Sequence, residues 1–67
     1  MYKVFEELLE KNNKTAYQVS KATGIATATL SEWKAGTYTP KVDKLMLIAN
    51  YFGVPVTVFL EESGGDQ

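Results

Sequence analysis

Residues 16–35 read AYQVSKATGIATATLSEWKA, from Ala16 to Ala35. A short helical pattern meets Gly24, breaks, and restarts at once as a second helical pattern. Val19 and Thr23 lie one turn apart and share a face of the first helix. Leu30 and Trp33 do the same on the second, and Ile25 falls at the corner between them. Ser20 is small enough to let two helix axes approach. Gly24 suits the left-handed conformation that ends a helix. These are the requirements for two helices that cross steeply through a turn of roughly three or four residues, a helix-turn-helix. Such a unit can lay its second helix in the major groove of DNA. An ordinary helical hairpin in a small bundle is the alternative reading of the same window.

The rest of the chain extends the helical pattern on both sides. Tyr2 to about Asn12 places Phe5, Leu8 and Leu9 on one face and Glu6, Glu7, Glu10 and Lys11 on the other, the stripe of an amphipathic helix. Asn12 and Asn13 end it. Thr15 is a good N-cap for a second helix, Ala16 to Thr23. A third runs from about Thr27 to Ala35. Ala26 cannot cap it, so Thr27 is expected to take over with the start moved by one residue. Gly36 is its stop. Thr37-Tyr38-Thr39-Pro40 reads as a polar loop. A fourth helix follows from about Val42, with Leu45, Ile48, Ala49 and Phe52 as its apolar stripe, and closes at Gly53. Pro55 suits the first turn of a fifth short helix through Phe59-Leu60. Glu61 to Gln67 reads as a frayed end. The expected organisation is one all-α domain over 1–62 and a disordered tail over 63–67. The expected core is Phe5, Leu8, Leu9, Val19, Thr23, Ile25, Leu30, Trp33, Leu45, Ile48, Ala49, Phe52, Val54 and Phe59. The indole of Trp33 is expected to fill the place where helix three meets helices one and four.

With 67 residues there is room for one domain, which buries only roughly 60% of its unfolded surface and is marginal alone. A hydrophobic content of 45% is normal for a globular chain and argues against disorder. Cysteine and histidine are both absent, which removes disulfides, thiolate chemistry, the usual general base and the commonest metal ligand. The eight carboxylates are scattered and form no catalytic constellation, so an enzyme is not expected, nor a cofactor, a metal or a small-molecule ligand. No apolar run approaches the roughly 20 residues of a membrane span, and the acidic start does not read as a signal peptide. A soluble cytoplasmic protein is the expectation.

Net charge is −1 and the pI is near 5.2, which is unlike the basic balance of many nucleic-acid-binding domains. The charge is unevenly placed, however. Lys14, Lys21, Lys34, Lys41 and Lys44 face only Glu32 and Asp43, a balance of +3 over that segment. The excess coincides with the helix-turn-helix, where contact with DNA needs it. All seven basic residues are lysine, so the bidentate guanidinium–guanine contact is unavailable.

The run Thr15-Ala16-Tyr17-Gln18-Val19-Ser20-Lys21, then Gly24-Ile25, then Leu30-Ser31-Glu32-Trp33-Lys34-Ala35-Gly36, then Pro40 and LMLIANYFGV at 45–54, resembles the lambda-repressor-like helix-turn-helix family. That family includes phage repressors, Cro proteins and the xenobiotic-response-element class of bacterial regulators. The resemblance covers about Phe5 to Leu60. It implies a five-helix all-α domain that binds operator DNA, usually as a twofold dimer, in the bacterial cytoplasm and on the nucleoid. It places Thr15 at a phosphate, at the amide end of helix two. Ala16 stands where relatives often carry a phosphate-binding glutamine, so that side-chain contact is missing. Thr27, Ala28 and Glu32 take the base-reading positions, while Thr29 and Ser31 lie nearer the flanking backbone. The loop from Gly36 through Thr37 and Tyr38 passes along the phosphates, with Lys41 near the backbone or minor groove. Lys34 and Leu9 replace the glutamate and arginine that pair inside many relatives.

The recognition helix implied by this reading is short-sided. The methyl groups of Thr27 and Ala28 suit a thymine methyl, and Glu32 can accept from cytosine N4. Shape and water-mediated readout would carry part of the specificity. A solvated surface charge is the plainer reading of Glu32, and the better one for Lys21 and Lys44. Tyr17 and Tyr38 can each donate a hydroxyl to a phosphate. The expected function is a sequence-specific transcriptional regulator, a repressor that reads a twofold operator as a homodimer. The pairing surface is expected near helix five, at Val56 or Val58. The alternative is an antitoxin or adaptor of the same fold whose main partner is another protein.

Overall fold

A computed structural model describes residues 2–64, with side-chain environments for 2–60. Its elements are α1 (Tyr2–Asn12), α2 (Ala16–Thr23), α3 (Thr27–Ala35), α4 (Val42–Phe52) and α5 (Thr57–Gly64), and there is no strand among the described residues. The first four agree with the periodicity of the sequence. The fifth differs at both ends. It begins after Pro55 rather than around it, and it continues to Gly64 instead of stopping at Leu60. Pro55 contributes its carbonyl, which accepts from the Val58 amide at 3.1 Å and so starts the turn that leads into the helix. Residues 65–67 of the expected tail lie outside the described residues. Among the described residues no helix is long and apolar enough to cross a membrane.

The helix ends follow from backbone hydrogen bonding. Asn13, at φ 55°, closes α1. Its amide donates to Glu10 and that of Lys14 to Leu9, at 3.2 and 2.8 Å, the double bond pattern that satisfies the last carbonyls of a helix. Asparagine is one of the few residues other than glycine that visits this left-handed region routinely. The same pair of bonds recurs at Gly36 and Thr37 after α3, and at Gly53 and Val54 after α4. At the start of α3 the expectation of a threonine cap is corrected. Ala26 is the N-cap and makes no side-chain hydrogen bond, and Thr27 is already helical.

Phe5, Val19, Ile25, Leu30, Trp33, Leu45, Ile48, Ala49 and Phe59 are buried. Leu8, Leu9, Phe52 and Val54, also expected inside, pack half-buried against that cluster. Pro40, read only as loop, is buried too, in the connection between α3 and α4. α2 packs against α3 and α4, and α1 against α5. The aromatic rings tie these pairs together. Phe5 stacks on Trp33 at 5.3 Å between centroids and meets Tyr2 and Phe52 edge-on at 5.4 and 6.3 Å. Trp33 also meets Tyr2 edge-on at 5.3 Å and Phe59 at 6.0 Å. Its ring partners come from α1 and α5, while Leu45, Ile48 and Ala49 of α4 belong to the same buried cluster. Offset and edge-on pairs are each worth roughly 0.5–1.5 kcal/mol beyond the area they bury.

Val56 and Val58 do not offer the exposed apolar surface expected of them. Both are half-buried and packed against the core. Among the described residues, the large apolar side chains left open to solvent are Val42, Met46 and Leu47 on α4, Leu60 on α5 and Tyr17 on α2.

Phe5 is fully buried and joins three other rings. Truncating such a residue costs about 3–5 kcal/mol. A domain of this length has a total stability of roughly 3–10 kcal/mol. Phe5→Ala is therefore expected to leave the domain largely unfolded at 37 °C. Urea titration followed by circular dichroism checks this; a midpoint equal to that of the unsubstituted chain contradicts the ring cluster as the source of stability.

Candidate nucleic-acid interface

The turn between α2 and α3 sets the angle of everything that follows. Gly24 lies at φ 82° and ψ 2°, and its amide donates to the Ser20 carbonyl at 2.9 Å. Two hydroxyls then hold the corner. Ser20 donates through Oγ to the carbonyl of Ile25. Thr23 donates through Oγ1 to the Val19 carbonyl at 2.7 Å and accepts from the Ile25 amide at 3.3 Å. Ser20 is thus more than a small residue, and Thr23 more than a semi-apolar one. Their bonds satisfy the polar backbone of a half-buried corner, which would otherwise cost free energy. Ile25 can then point inward, where it is buried.

Thr15 caps α2 as expected, and does so within a reciprocal pair. Its Oγ1 accepts from the Gln18 amide at 3.1 Å, while Gln18 Oε1 accepts from the Thr15 amide at 2.9 Å. The Thr-x-x-Gln spacing is itself the sequence signature of this capping box, and it is legible at residues 15–18. Two of the four unpaired amides of a helix start are thereby satisfied, and those of Ala16 and Tyr17 stay available. At α3 no side chain caps at all. The amides of Thr29 and Leu30 both return to the Ala26 carbonyl, leaving those of Thr27 and Ala28 to outside partners.

The outer surface of α3 carries Thr27, Ala28, Ser31 and Glu32, all exposed. Thr29 is half-buried. Leu30 and Trp33 point the other way, into the core. Beside α3 lies a cleft of about 260 Å³, lined by Tyr2, Ala16, Tyr17, Thr27, Leu30, Ser31 and Lys34. It brings together three of the sequence-expected residues, Tyr17, Thr27 and Ser31, and adds Tyr2, Ala16 and Lys34. Nothing in the spacing pointed to Tyr2, because it reaches this cleft from α1. Tyr17 is 62% exposed, with the Lys21 ammonium 5.8 Å from its ring centroid, within reach of a weak cation–π attraction. Burial, reinforced by the nearby Glu6 carboxylate, pushes the Tyr2 phenol above its ordinary range, so Tyr2 is a neutral hydrogen-bonding group at physiological pH.

The loop residues divide. Thr37 spends its hydroxyl on the α3 end, donating from Oγ1 to the Glu32 carbonyl at 3.2 Å, beside its own amide at 3.0 Å. Tyr38 is half-buried. Lys41 is exposed at the N-cap of α4. The lysines Lys14, Lys21, Lys34 and Lys41 are all exposed.

This crossing of two helices over a glycine turn, with an open and uncapped second helix, coincides with a match to the helix-turn-helix family model over residues 5–59. The chain belongs to that family. It is of the lambda-repressor-like, Cro/C1-type kind. Helix-turn-helix domains of this kind are DNA-binding and act in transcriptional regulation, and that is the general function of this chain. Comparison with curated proteins and comparison with solved structures each gave no match.

The turn can be tested without touching any side chain that faces outward. A Cβ placed on Gly24 meets nothing within 4 Å, so the only obstacle is its positive φ. Gly24→Ala is expected to destabilise the helix-turn-helix domain by about 1–2 kcal/mol and lower Tm by several degrees, about 4–8 °C for each kcal/mol. Gly24→Asn should lose less. Equal melting temperatures for alanine and glycine, measured by calorimetry, contradict the left-handed turn.

Proposed function

We propose that this domain is a repressor that reads a twofold operator as a dimer, laying α3 in the major groove. The observation that carries the reading is the outer face of α3. It presents Thr27, Ala28, Ser31 and Glu32 to solvent from a helix whose start has no capping side chain. Short side chains let the helix approach base edges closely. The methyls of Thr27 and Ala28 fit a thymine methyl, and the Glu32 carboxylate accepts from cytosine N4 while repelling misplaced phosphates. Thr15, at the start of α2, sets that amide end against a phosphate, an arrangement that favours anions. Tyr17 and Tyr38 offer phenolic donors to the backbone. Thr29 and Ser31 line its path, Thr37 holds the loop to the α3 end through the Glu32 carbonyl, and Lys41 supplies charge at the far end of the loop.

Pairing follows from the size of this surface. One α3 and a handful of lysines make a weak half-site contact. Two copies reading half-sites about 34–36 Å apart double it and gain from high effective concentration once the first is bound. The exposed apolar residues of α4 and α5, Leu47 and Leu60 among them, supply the surface for pairing. The repressor role proposed here is that of a dimer whose operator overlaps a promoter, where it excludes polymerase.

Two results are expected from a duplex selected out of a random-sequence pool. Glu32→Gln should shift the preferred base at one position per half-site from cytosine toward adenine, since a carboxamide pairs bidentately with adenine N6 and N7. A uniform gain across all sequences means instead that Glu32 acts only through its charge. Second, if a dimer neutralises about six to ten phosphates, affinity should fall by roughly 10³–10⁵ between 50 and 200 mM salt. Footprints lacking twofold symmetry, or tight binding that ignores salt, count against the dimeric operator reading.

A further inference from the structure

Lys34 has no part in the contacts assigned above, yet it lines the cleft between α3 and the starts of α1 and α2. We propose that Lys34 is a phosphate ligand, its ammonium holding one backbone phosphate of the operator in the cleft that Ala16 leaves open. The assignment rests on the DNA-binding reading and deepens it.

Three features carry it. Thr27, Ser31 and Lys34 stand at i, i+4 and i+7 and so share one face of α3, spanning about 10 Å of helix. Their common face is the wall of the cleft. Second, the lining is built of donors and apolar groups. Thr27, Ser31, Tyr2 and Tyr17 bring hydroxyls, Lys34 brings the charge, and no carboxylate is among the lining residues. An anion with several acceptor oxygens fits such a lining, and a compact ammonium on a flexible stem is suited to meet it as a point charge. Third, the concavity exists because Ala16 contributes only a methyl at its rim; a longer side chain there would fill it. Lys21 lies over the Tyr17 ring instead, and Lys41 sits at the start of α4, so Lys34 is the lysine of this cleft. Of the three, Lys34 lies farthest from Ala28 and Glu32 on the α3 wheel, about 120° and 160° away, which sets its ammonium toward the backbone.

The test compares Lys34→Met, Lys34→Arg, Ala16→Leu and the double variant on two duplexes, the one selected by the unsubstituted protein and one of scrambled sequence. Lys34→Met should weaken both duplexes alike, roughly tenfold per bound copy, and reduce the slope of log K against log salt by about 0.9 per copy. Lys34→Arg should restore most of the affinity. Ala16→Leu, with the lysine present and the cleft filled, should lose a similar amount, and the double variant no more than either alone. Lys34 is exposed, so its methionine variant should melt like the parent and decides the matter even where Ala16→Leu does not fold. Unchanged affinity and slope for Lys34→Met overturn the assignment. A loss confined to the selected duplex overturns it too, in favour of a base contact. A parent protein that selects no duplex overturns the operator reading itself, and the assignment with it.

Discussion

The chain reverses from α2 into α3 over Gly24, Ile25 and Ala26, and the geometry of that corner decides where the rest of the domain can go. Gly24 supplies a left-handed backbone. Ser20 and Thr23 then satisfy the polar groups of the corner with their hydroxyls, and Ile25 is free to be buried. None of these acts alone. Without the positive φ the α2 end cannot close on Ser20. Without the hydroxyls a half-buried carbonyl and amide would lose their partners, at a cost of roughly 1–3 kcal/mol each. The corner is a local constraint with a global result: it fixes the direction in which α3 leaves.

Rotation of α3 about its own axis is settled by a second contact, the stack of Trp33 on Phe5. The ring cluster grips the inner side of α3 from α1 and α5. With Leu30 and Trp33 held inside, Thr27, Ala28, Ser31 and Glu32 must face out. The same side chains that stabilise the domain therefore orient the surface proposed to read DNA. That surface is low in charge for a DNA-binding domain. The chain as a whole is slightly acidic, and only the segment from Lys14 to Lys44 is basic. Attraction to DNA is consequently local and orienting.

Helix positions were legible in the sequence wherever periodicity, caps and glycine stops agreed. The α2–α3 unit, with Val19, Ile25, Leu30 and Trp33 inside, follows from the spacing alone, and family membership was readable from the same residues. What escaped was of three kinds. Contacts between distant elements were not visible: Trp33 meets Phe59 of α5 as well as Phe5 of α1 because the fifth helix returns to α1, a matter of tertiary path. Hydroxyl roles were missed because Ser20, Thr23 and Thr37 are ambiguous by type; only the backbone around them shows which oxygen each one meets. The Thr15–Gln18 pair, by contrast, has a sequence signature that a closer reading of its spacing finds. Concavity was the third. Ala16 reads as a lost side chain, whereas in three dimensions it opens a cleft that reaches from Tyr2 to Lys34. Val56 and Val58 show the converse error. A short helix more apolar than a lone surface helix needs to be suggests a pairing surface, but here the core takes these residues.

One face of the domain, made by the α2 start, the outer side of α3 and the loop to α4, is proposed as the DNA-contacting surface. Amide chemical-shift mapping tests it most directly. A selected duplex is titrated into isotope-labelled protein and the perturbed amides are located. The largest changes are expected at residues 15–17, 27–32 and 36–41, with the solvent side of α1 unaffected. Perturbations centred on the acidic face of α1, at Glu6, Glu7 and Glu10, with α3 silent, would contradict it.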